Sequence, residues 1–372
     1  MKKLFLFATV IAVFSSCGSA GDSDEFIIYE ELPELDVTLI TEAGEGGGYF
    51  PGRISGLFIS SNGDLLVSDM GSNTVEQFSP DGEYLGTVAQ RGSGPGEVSG
   101  FFQIYDAGGD TLMVESQGGR RDLFYPGDDG TYRYTRNMAG ESGSMEGFVL
   151  SSVRSDTEFY ATRRRIVRNP IQMMSNPNDY HDTYIHVVNR NNEAVADSIH
   201  RLRTPEWHML SIGNGFSIHE VPFRNHDRFV PTPIGGYMVA RPADSQLLFF
   251  DDKHEHQSTL TLNIAERKIG RADLDHALKN ASSDMRRAIE PRVYDTKPPF
   301  LNIWASEEWI WLQSDNSEEG KQIIVMDYDG NFHGRFLISE FDEVQKVRGN
   351  RIYTIHRNPD LGDSARIYEA DV

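Results

Sequence analysis

Ile54-Ser55-Gly56-Leu57-Phe58-Ile59, the turn Asn62-Gly63-Asp64, Leu65-Leu66-Val67-Ser68-Asp69, Asn73-Thr74-Val75-Glu76-Gln77-Phe78, the turn Ser79-Pro80-Asp81-Gly82, Tyr84-Leu85-Gly86-Thr87-Val88 and the glycine run Gly92-Ser93-Gly94-Pro95-Gly96-Glu97 follow one another along the chain. Runs of β-branched, aromatic and aliphatic residues separated by Asn-Gly and Asp-Gly mark short strands joined by tight hairpins. Four such strands make one small antiparallel sheet, and a unit of about forty to fifty residues is the size of one propeller blade.

The pattern recurs. Each second strand follows a polar turn and is strongly apolar: Leu65 to Ser68, Thr111 to Val114, Glu158 to Ala161, Tyr237 to Ala240, Trp309 to Leu312 and Ile352 to Ile355. Third strands follow at Val75–Phe78, Arg121–Tyr125, Thr183–Asn189, Gln246–Asp251, Gln322–Asp327 and Ala365–Glu369. The first five run into Pro80-Asp81-Gly82, Asp128-Asp129-Gly130, Arg190-Asn191-Asn192, Asp252-Lys253-His254 and Tyr328-Asp329-Gly330, which supply the left-handed positions a tight hairpin needs. The sixth unit has no fourth strand, because the sequence stops at Val372. A surplus strand, Leu35 to Ile40, precedes the first unit. The expectation is an all-β, six-bladed β-propeller over 35–372 whose N-terminal strand completes the last blade. Closing the ring this way leaves no unpaired edges.

The first unit resembles the NHL repeat through Gly94-Pro95-Gly96-Glu97, Asn62-Gly63-Asp64, Val67-Ser68-Asp69 and Phe78-Ser79-Pro80-Asp81-Gly82. The order of units is similar to that of six-bladed propeller lipoproteins of Bacteroidetes type. That resemblance implies a fold and a location but no reaction.

The N-terminus agrees with that location. Lys2 and Lys3 precede an apolar run from Leu4 to Phe14, too short to span a bilayer. Ser15-Ser16-Cys17 follows, and the whole resembles a bacterial lipoprotein signal, with Phe14 departing from the usual leucine. Residues 1–16 are therefore expected to be a signal peptide and Cys17, the single cysteine, the lipidation site. Residues 17–34 are expected to form a lipidated acidic tether. Its Gly18 to Glu25 part looks like a surface-export tract, and a plain spacer reads equally well. The address expected is lipid anchorage to a bacterial membrane, the outer membrane, with exposure at the cell surface as one form of it.

Charge narrows the partners. With 56 acidic against 35 basic residues the formal charge is −21, which repels nucleic acid and anionic lipid. No nucleic acid is expected to bind, and membrane contact is expected through the lipid alone. A single propeller of this kind is expected to be monomeric.

Two intervals between units are long. The first, about 163–182, opens with Arg163, Arg164, Arg165 and Arg168 and is broken by Asn169-Pro170 and Asn176-Pro177. It reads either as an anion site or as a solvated loop paired with nearby acids. The second, about 265–299, carries Leu274, Leu278, Met285 and Ile289 at helical spacing, with Ser282, Ser283 and Asp284 as cap candidates and Pro291 at its end. It reads as two short helices that decorate the propeller or close over one face.

Catalytic signatures are sparse. There is no Gly-x-Ser-x-Gly elbow and no nucleotide loop. His254 and His256 fall in a hairpin turn, and Gly44 to Gly48 joins two strands. His208, His219 and His226 lie where the units are least regular. Asp128-Asp129 and Asp251-Asp252 are adjacent turn residues, not a converging acid–base pair. Trp304, Trp309, Trp311, Phe249, Phe250, Tyr125 and Tyr237 read as packing between blades. No cofactor and no metal ligands are assigned.

Topology offers one candidate site. In a propeller, the loops after the second strands share a face with the blade-to-blade connections. Asp69, Glu115, Arg163, Arg241, Gln313 and His356 begin those loops and are the candidate binding face. The expected function is a non-enzymatic envelope module that binds or scaffolds a protein, peptide or glycan. The alternative is a metal-dependent hydrolase or lyase of lactonase or amidating-lyase type working at the channel mouth.

Overall fold

The structure is a computed structural model, and it describes residues 26–44, 48–116, 120–138, 148–155, 157–164, 180–189, 191, 193–205, 208–212, 215–360 and 362–372. The signal, Cys17, the tract 18–25, and Arg165 and Arg168 lie outside the described residues.

The strands form six four-stranded antiparallel sheets in a ring. After β1 (Val37–Ala43), blade 1 holds β2 (Ile54–Ile59), β3 (Leu65–Asp69), β4 (Thr74–Phe78) and β5 (Tyr84–Ala89). Blade 2 holds β6 (Phe102–Asp106), β7 (Leu112–Ser116), β8 (Arg120–Pro126) and β9 (Tyr132–Asn137). Blade 3 holds β10 (Phe148–Ser155), β11 (Glu158–Arg164), β12 (Tyr180–Asn189) and β13 (Ala194–Pro205). A separate hairpin, β14 (His208–Ile212) and β15 (Gly215–His219), precedes blade 4. Blade 4 holds β16 (Arg228–Pro231), β17 (Tyr237–Arg241), β18 (Gln246–Phe250) and β19 (His256–Thr261). Blade 5 holds β20 (Asn302–Ala305), β21 (Trp309–Ser317), β22 (Gly320–Asp327) and β23 (Phe332–Ile338). Blade 6 holds β24 (Asp342–Arg348), β25 (Arg351–Asn358), β26 (Gly362–Ala370) and, as its outer strand, β1.

Side-chain alternation explains why the sheets stack. Successive residues of a strand point to opposite faces, and in each second strand both faces meet a neighbouring blade. In β3, Leu65 and Val67 pack with blade 6 and Leu66 packs with blade 2. In β21, Ile310 and Leu312 pack with blade 4 and Trp311 with blade 6. The same switch occurs in β11, where Phe159 and Ala161 join blade 2 and Tyr160 joins blade 4. The result is one apolar core between each pair of neighbouring blades and no single central core. The middle of the ring is instead a channel walled by the first strands.

Ring closure is as expected in topology and shifted in the bounds of the closing strand. β1 pairs antiparallel with β26 from Val37↔Ala370 to Ala43↔Ala365, so the strand runs three residues past Ile40 and begins after Leu35. Leu35 is already engaged with blade 5, donating its N–H to the Arg335 carbonyl oxygen at 2.8 Å. Earlier residues, expected within the tether, also lie against the ring. Ile27 bridges to Ile264 beyond blade 4. Tyr29 is buried in the core between blades 4 and 5, and its hydroxyl donates to the Pro299 carbonyl oxygen at 3.1 Å. The Arg267 guanidinium sits 5.1 Å over its ring. The chain thus straps blades 4, 5 and 6 together before entering blade 1.

The second insertion forms α1 (Arg271–Ala277) and α2 (Ser283–Ile289). Ser282 caps α2, its Oγ accepting the Met285 N–H. Val221, Leu278 and Ile289 make a small apolar core of their own. Lys297 Nζ fastens the insertion to blade 5, lying 2.7 Å from Asp273 and 2.5 Å from Asp315. The β14–β15 hairpin lies beside α2. Together the helices, the hairpin and the connector 220–227 make a cap. Antiparallel order places the second-to-third turns and the blade-to-blade connections on one face, and the cap, built from such connections, lies on that face.

Candidate functional site

The six residues chosen from topology occupy equivalent ends of the second strands but differ in exposure. Asp69 is buried and fully engaged: Oδ1 accepts from the N–H groups of Arg53 (2.9 Å) and Gly71 (2.7 Å), and Oδ2 from Gly52 N–H (3.0 Å) and Tyr49 Oη (2.7 Å). Burial alone would raise its carboxyl; the hydrogen bonds from Arg53 and Gly52 hold it below the usual carboxylate range. His356 is also buried, with Nδ1 2.9 Å from Asp342 Oδ1, while Tyr368 Oη donates to Asp342 Oδ2 at 2.6 Å. These two residues tie loops and strands together within blades 1 and 6. Gln313 is buried and accepts from Asn302 Nδ2 at 3.0 Å. Glu115 pairs with the buried Arg121 at 3.2 Å. Arg163 is exposed, its guanidinium 5.3 Å over the Phe148 ring. Arg241 is half-buried, with a buried Nε that has no hydrogen-bond partner among the described residues.

Between the cap and the ends of blades 4, 5 and 6 lies a cavity of about 740 Å³. This is within the usual range for small-molecule sites, about 300–1,000 Å³. Gln313 is the one topological candidate that lines it. The others on its wall include Arg228, Asn302, Asn316, Lys321, Phe341 and Arg357, none of which the sequence singled out. The long insertion was the available signal: a covering element over a propeller face creates a cavity that no single blade encloses.

The charges in the cavity are unequally matched. Its carboxylates are occupied: Glu220 Oε1 lies 2.5 Å from His226 Nε2, Glu343 Oε2 lies 2.6 Å from Arg357 Nη2, and Glu340 pairs with Lys279. Arg228 and Lys321 donate to main-chain oxygens instead, Arg228 Nη2 to Leu301 at 3.0 Å and Lys321 Nζ to Asp342. Burial disfavours the charged form of both and lowers their pKa values; for Lys321, neighbouring Glu343 and Asp342 act the other way. The arrangement can receive an anion, because a negative group would replace solvation that these cations have lost.

A second cavity, about 730 Å³, occupies the channel and is walled by residues such as Ser55, Gln103, Tyr105, Ser151, Trp304 and Gln345. Trp304 packs against the core between blades 5 and 6 as expected, and its half-buried ring also lines this channel; Trp311 and Tyr237 are fully buried. Lys346 Nζ and Asp106 Oδ2 meet at 2.9 Å across the same space, joining blades 6 and 2 past blade 1.

The histidines divide similarly. His254 has φ +68° and fills the left-handed turn position that Gly82, Gly130 and Gly330 fill in other blades. His208 and His219 face each other in the β14–β15 register. Among the described residues no three His, Cys, Asp or Glu side chains converge as metal ligands. No helix among them is long and apolar enough to cross a membrane.

Neither a protein-family model nor a curated protein sequence matches the chain. Solved structures do. A Bacteroides fragilis protein described as exported is 9% identical, covers 91% of this chain and 95% of its own, and superposes with a TM-score of 0.48. A member of the DUF4221 family from Bacteroides vulgatus is 11% identical over 91% of this chain and 99% of its own, with a TM-score of 0.46. A streptogramin B lyase is 8% identical over 91% and 98%, with a TM-score of 0.43. At this distance no residue role and no activity carries across.

Proposed function

We propose that the protein is a lipid-anchored envelope protein whose capped propeller face binds a protein, peptide or glycan partner without catalysing a reaction on it. The observation that supports this most is the cavity of about 740 Å³ between the cap and blades 4 to 6, with walls of mixed polar and apolar residues and two cations whose hydrogen bonds go to main-chain oxygens. Binding sites pair a formed concavity with a few placed polar groups. The metal-dependent alternative needs three or four converging ligands, and the described residues provide no such group.

The test is affinity capture from native envelope with the full-length protein. Arg163→Glu and Arg241→Glu, both on the capped face, are expected to reduce the amount of a specific co-purifying partner. Lys253→Glu, in a third-to-fourth turn on the opposite face, is expected to leave it unchanged. Equal capture by all three variants would refute the assignment of that face.

A further inference from the structure

We propose that the cavity beneath the cap is a binding site for a small acidic saccharide, a sugar ring or short oligomer that carries a carboxylate beside its hydroxyl groups; this rests on the binding reading above and specifies its ligand. Three observations lead to it.

The first is charge. Glu340 and Glu343 on the wall are paired with Lys279 and Arg357, and Glu220 lies against His226, while Arg228 and Lys321 have no ion-pair partner among the described residues. A neutral ligand would leave these two cations desolvated. A carboxylate would supply the countercharge that either of them lacks, and arginine is suited to carboxylate geometry.

The second is unmet hydrogen bonding. Arg228 Nε, His276 Nδ1 and Asn316 Oδ1 are buried and have no hydrogen-bond partner among the described residues, and all three residues line this one cavity. Buried polar atoms in native proteins are nearly all satisfied, so a cluster of exceptions calls for a ligand or water. The set is mixed: Arg228 Nε only donates, Asn316 Oδ1 only accepts and a neutral imidazole nitrogen does either. A bare oxyanion accepts only and would leave Asn316 unmet. A hydroxylated ligand both donates and accepts, so small side-chain rotations toward it would satisfy the whole set.

The third is shape. Phe341 is 41% exposed on the cavity wall, which also carries the amides of Asn302 and Asn316. An aromatic ring and planar amides on one wall offer partners for the apolar C–H face and the polar edge of a sugar ring. The cap's helices and the connector form one wall of the space, and its volume of about 740 Å³ suits a ligand of one or a few sugar rings.

The experiment is isothermal titration of the full-length protein with digalacturonate, with its neutral counterpart digalactose, and with sodium sulfate, alongside Lys321→Met and Arg228→Gln. One site is expected for digalacturonate, with binding at least tenfold weaker for digalactose and for sulfate. Each variant is expected to weaken digalacturonate binding at least tenfold. Circular dichroism of each variant identifies any that fails to fold, and Lys321→Met, the less buried change, keeps the test decisive if Arg228→Gln does. Absence of digalacturonate binding, equal binding of digalactose, or unchanged binding in folded Lys321→Met would overturn the proposal. Partner capture that still depends on Arg163 and Arg241 would then show that only the saccharide assignment had failed.

Discussion

Single carboxylates do much of the local work in this ring. Asp327 closes the β22–β23 turn: its oxygens accept from Asn331 N–H at 2.9 Å, Asn331 Nδ2 at 2.8 Å and Asp329 N–H at 3.0 Å. Partial burial works against ionisation, yet these bonds and His333 lower its pKa to about 2. Because the folded value lies below the unfolded one, Asp327 stabilises the fold above the ordinary carboxylate range, and that contribution fades as pH falls toward about 2. Wild type and Asp327→Ala are therefore expected to differ in melting temperature at pH 6 and to converge near pH 2, measured by scanning calorimetry. A difference that does not depend on pH would contradict the assignment. Asp342 acts at a deeper level. It is wholly buried, and replacing it by alanine orphans Tyr368 Oη and a His356 contact at once. The expected loss is about 3 kcal/mol in chemical denaturation, the cost of leaving buried polar groups unmet.

At the scale of the element, legibility followed burial. Second strands were readable because both of their faces are covered, so Leu65-Leu66-Val67 and Trp309-Ile310-Trp311-Leu312 are apolar without interruption. Outer strands such as β19 are exposed almost throughout and carry little pattern. The closing strand pairs where expected but spans 37–43 rather than 35–40. A register irregularity between Leu39 and Thr41 breaks its alternation, leaving Leu39 and Ile40 on the surface while Thr41 and Ala43 turn inward. The β14–β15 hairpin went unread because it belongs to no blade and repeats nothing. The cavity was invisible for a related reason: its wall comes from the cap and three blades, far apart in sequence, whereas the second-strand ends that topology suggested are partly consumed in holding loops. Closure itself can be tested in two steps. Deleting 37–43 strips β26 of its partner and exposes a sheet edge, so aggregation or a large fall in melting temperature is expected. The milder Tyr29→Ala leaves β1 intact and removes the strap's anchor between blades 4 and 5, with an expected cost of about 3–4 kcal/mol. Unchanged unfolding in both would mean that the strap and the closing strand contribute nothing to the ring.

For the molecule as a whole, the strap also sets orientation. Its first fixed point, Ile27, bridges to Ile264 in the connection leaving blade 4, and that connection belongs to the face that carries the cap and the cavity beneath it. If Cys17 carries the lipid, nine residues lie between the anchor and that point, and even fully extended the ten steps reach no further than about 35 Å. The capped face would then lie close to the bilayer and the opposite face away from it, so a partner recognised at the cap must itself be at or near the membrane. A protein with formal charge −21 has no electrostatic reason to stay on an anionic surface, so retention should depend on the lipid alone. Cys17→Ser is accordingly expected to move the protein from the membrane pellet to the soluble fraction after cell lysis, without changing its melting temperature. Lengthening the tether by twenty Gly-Ser residues is expected to keep it in the pellet while weakening capture of a membrane-bound partner, because the effective concentration at the cap falls with tether length. Pelleting that persists in the serine variant would point to protein contacts as the anchor, and capture that ignores tether length would place the partner away from the membrane.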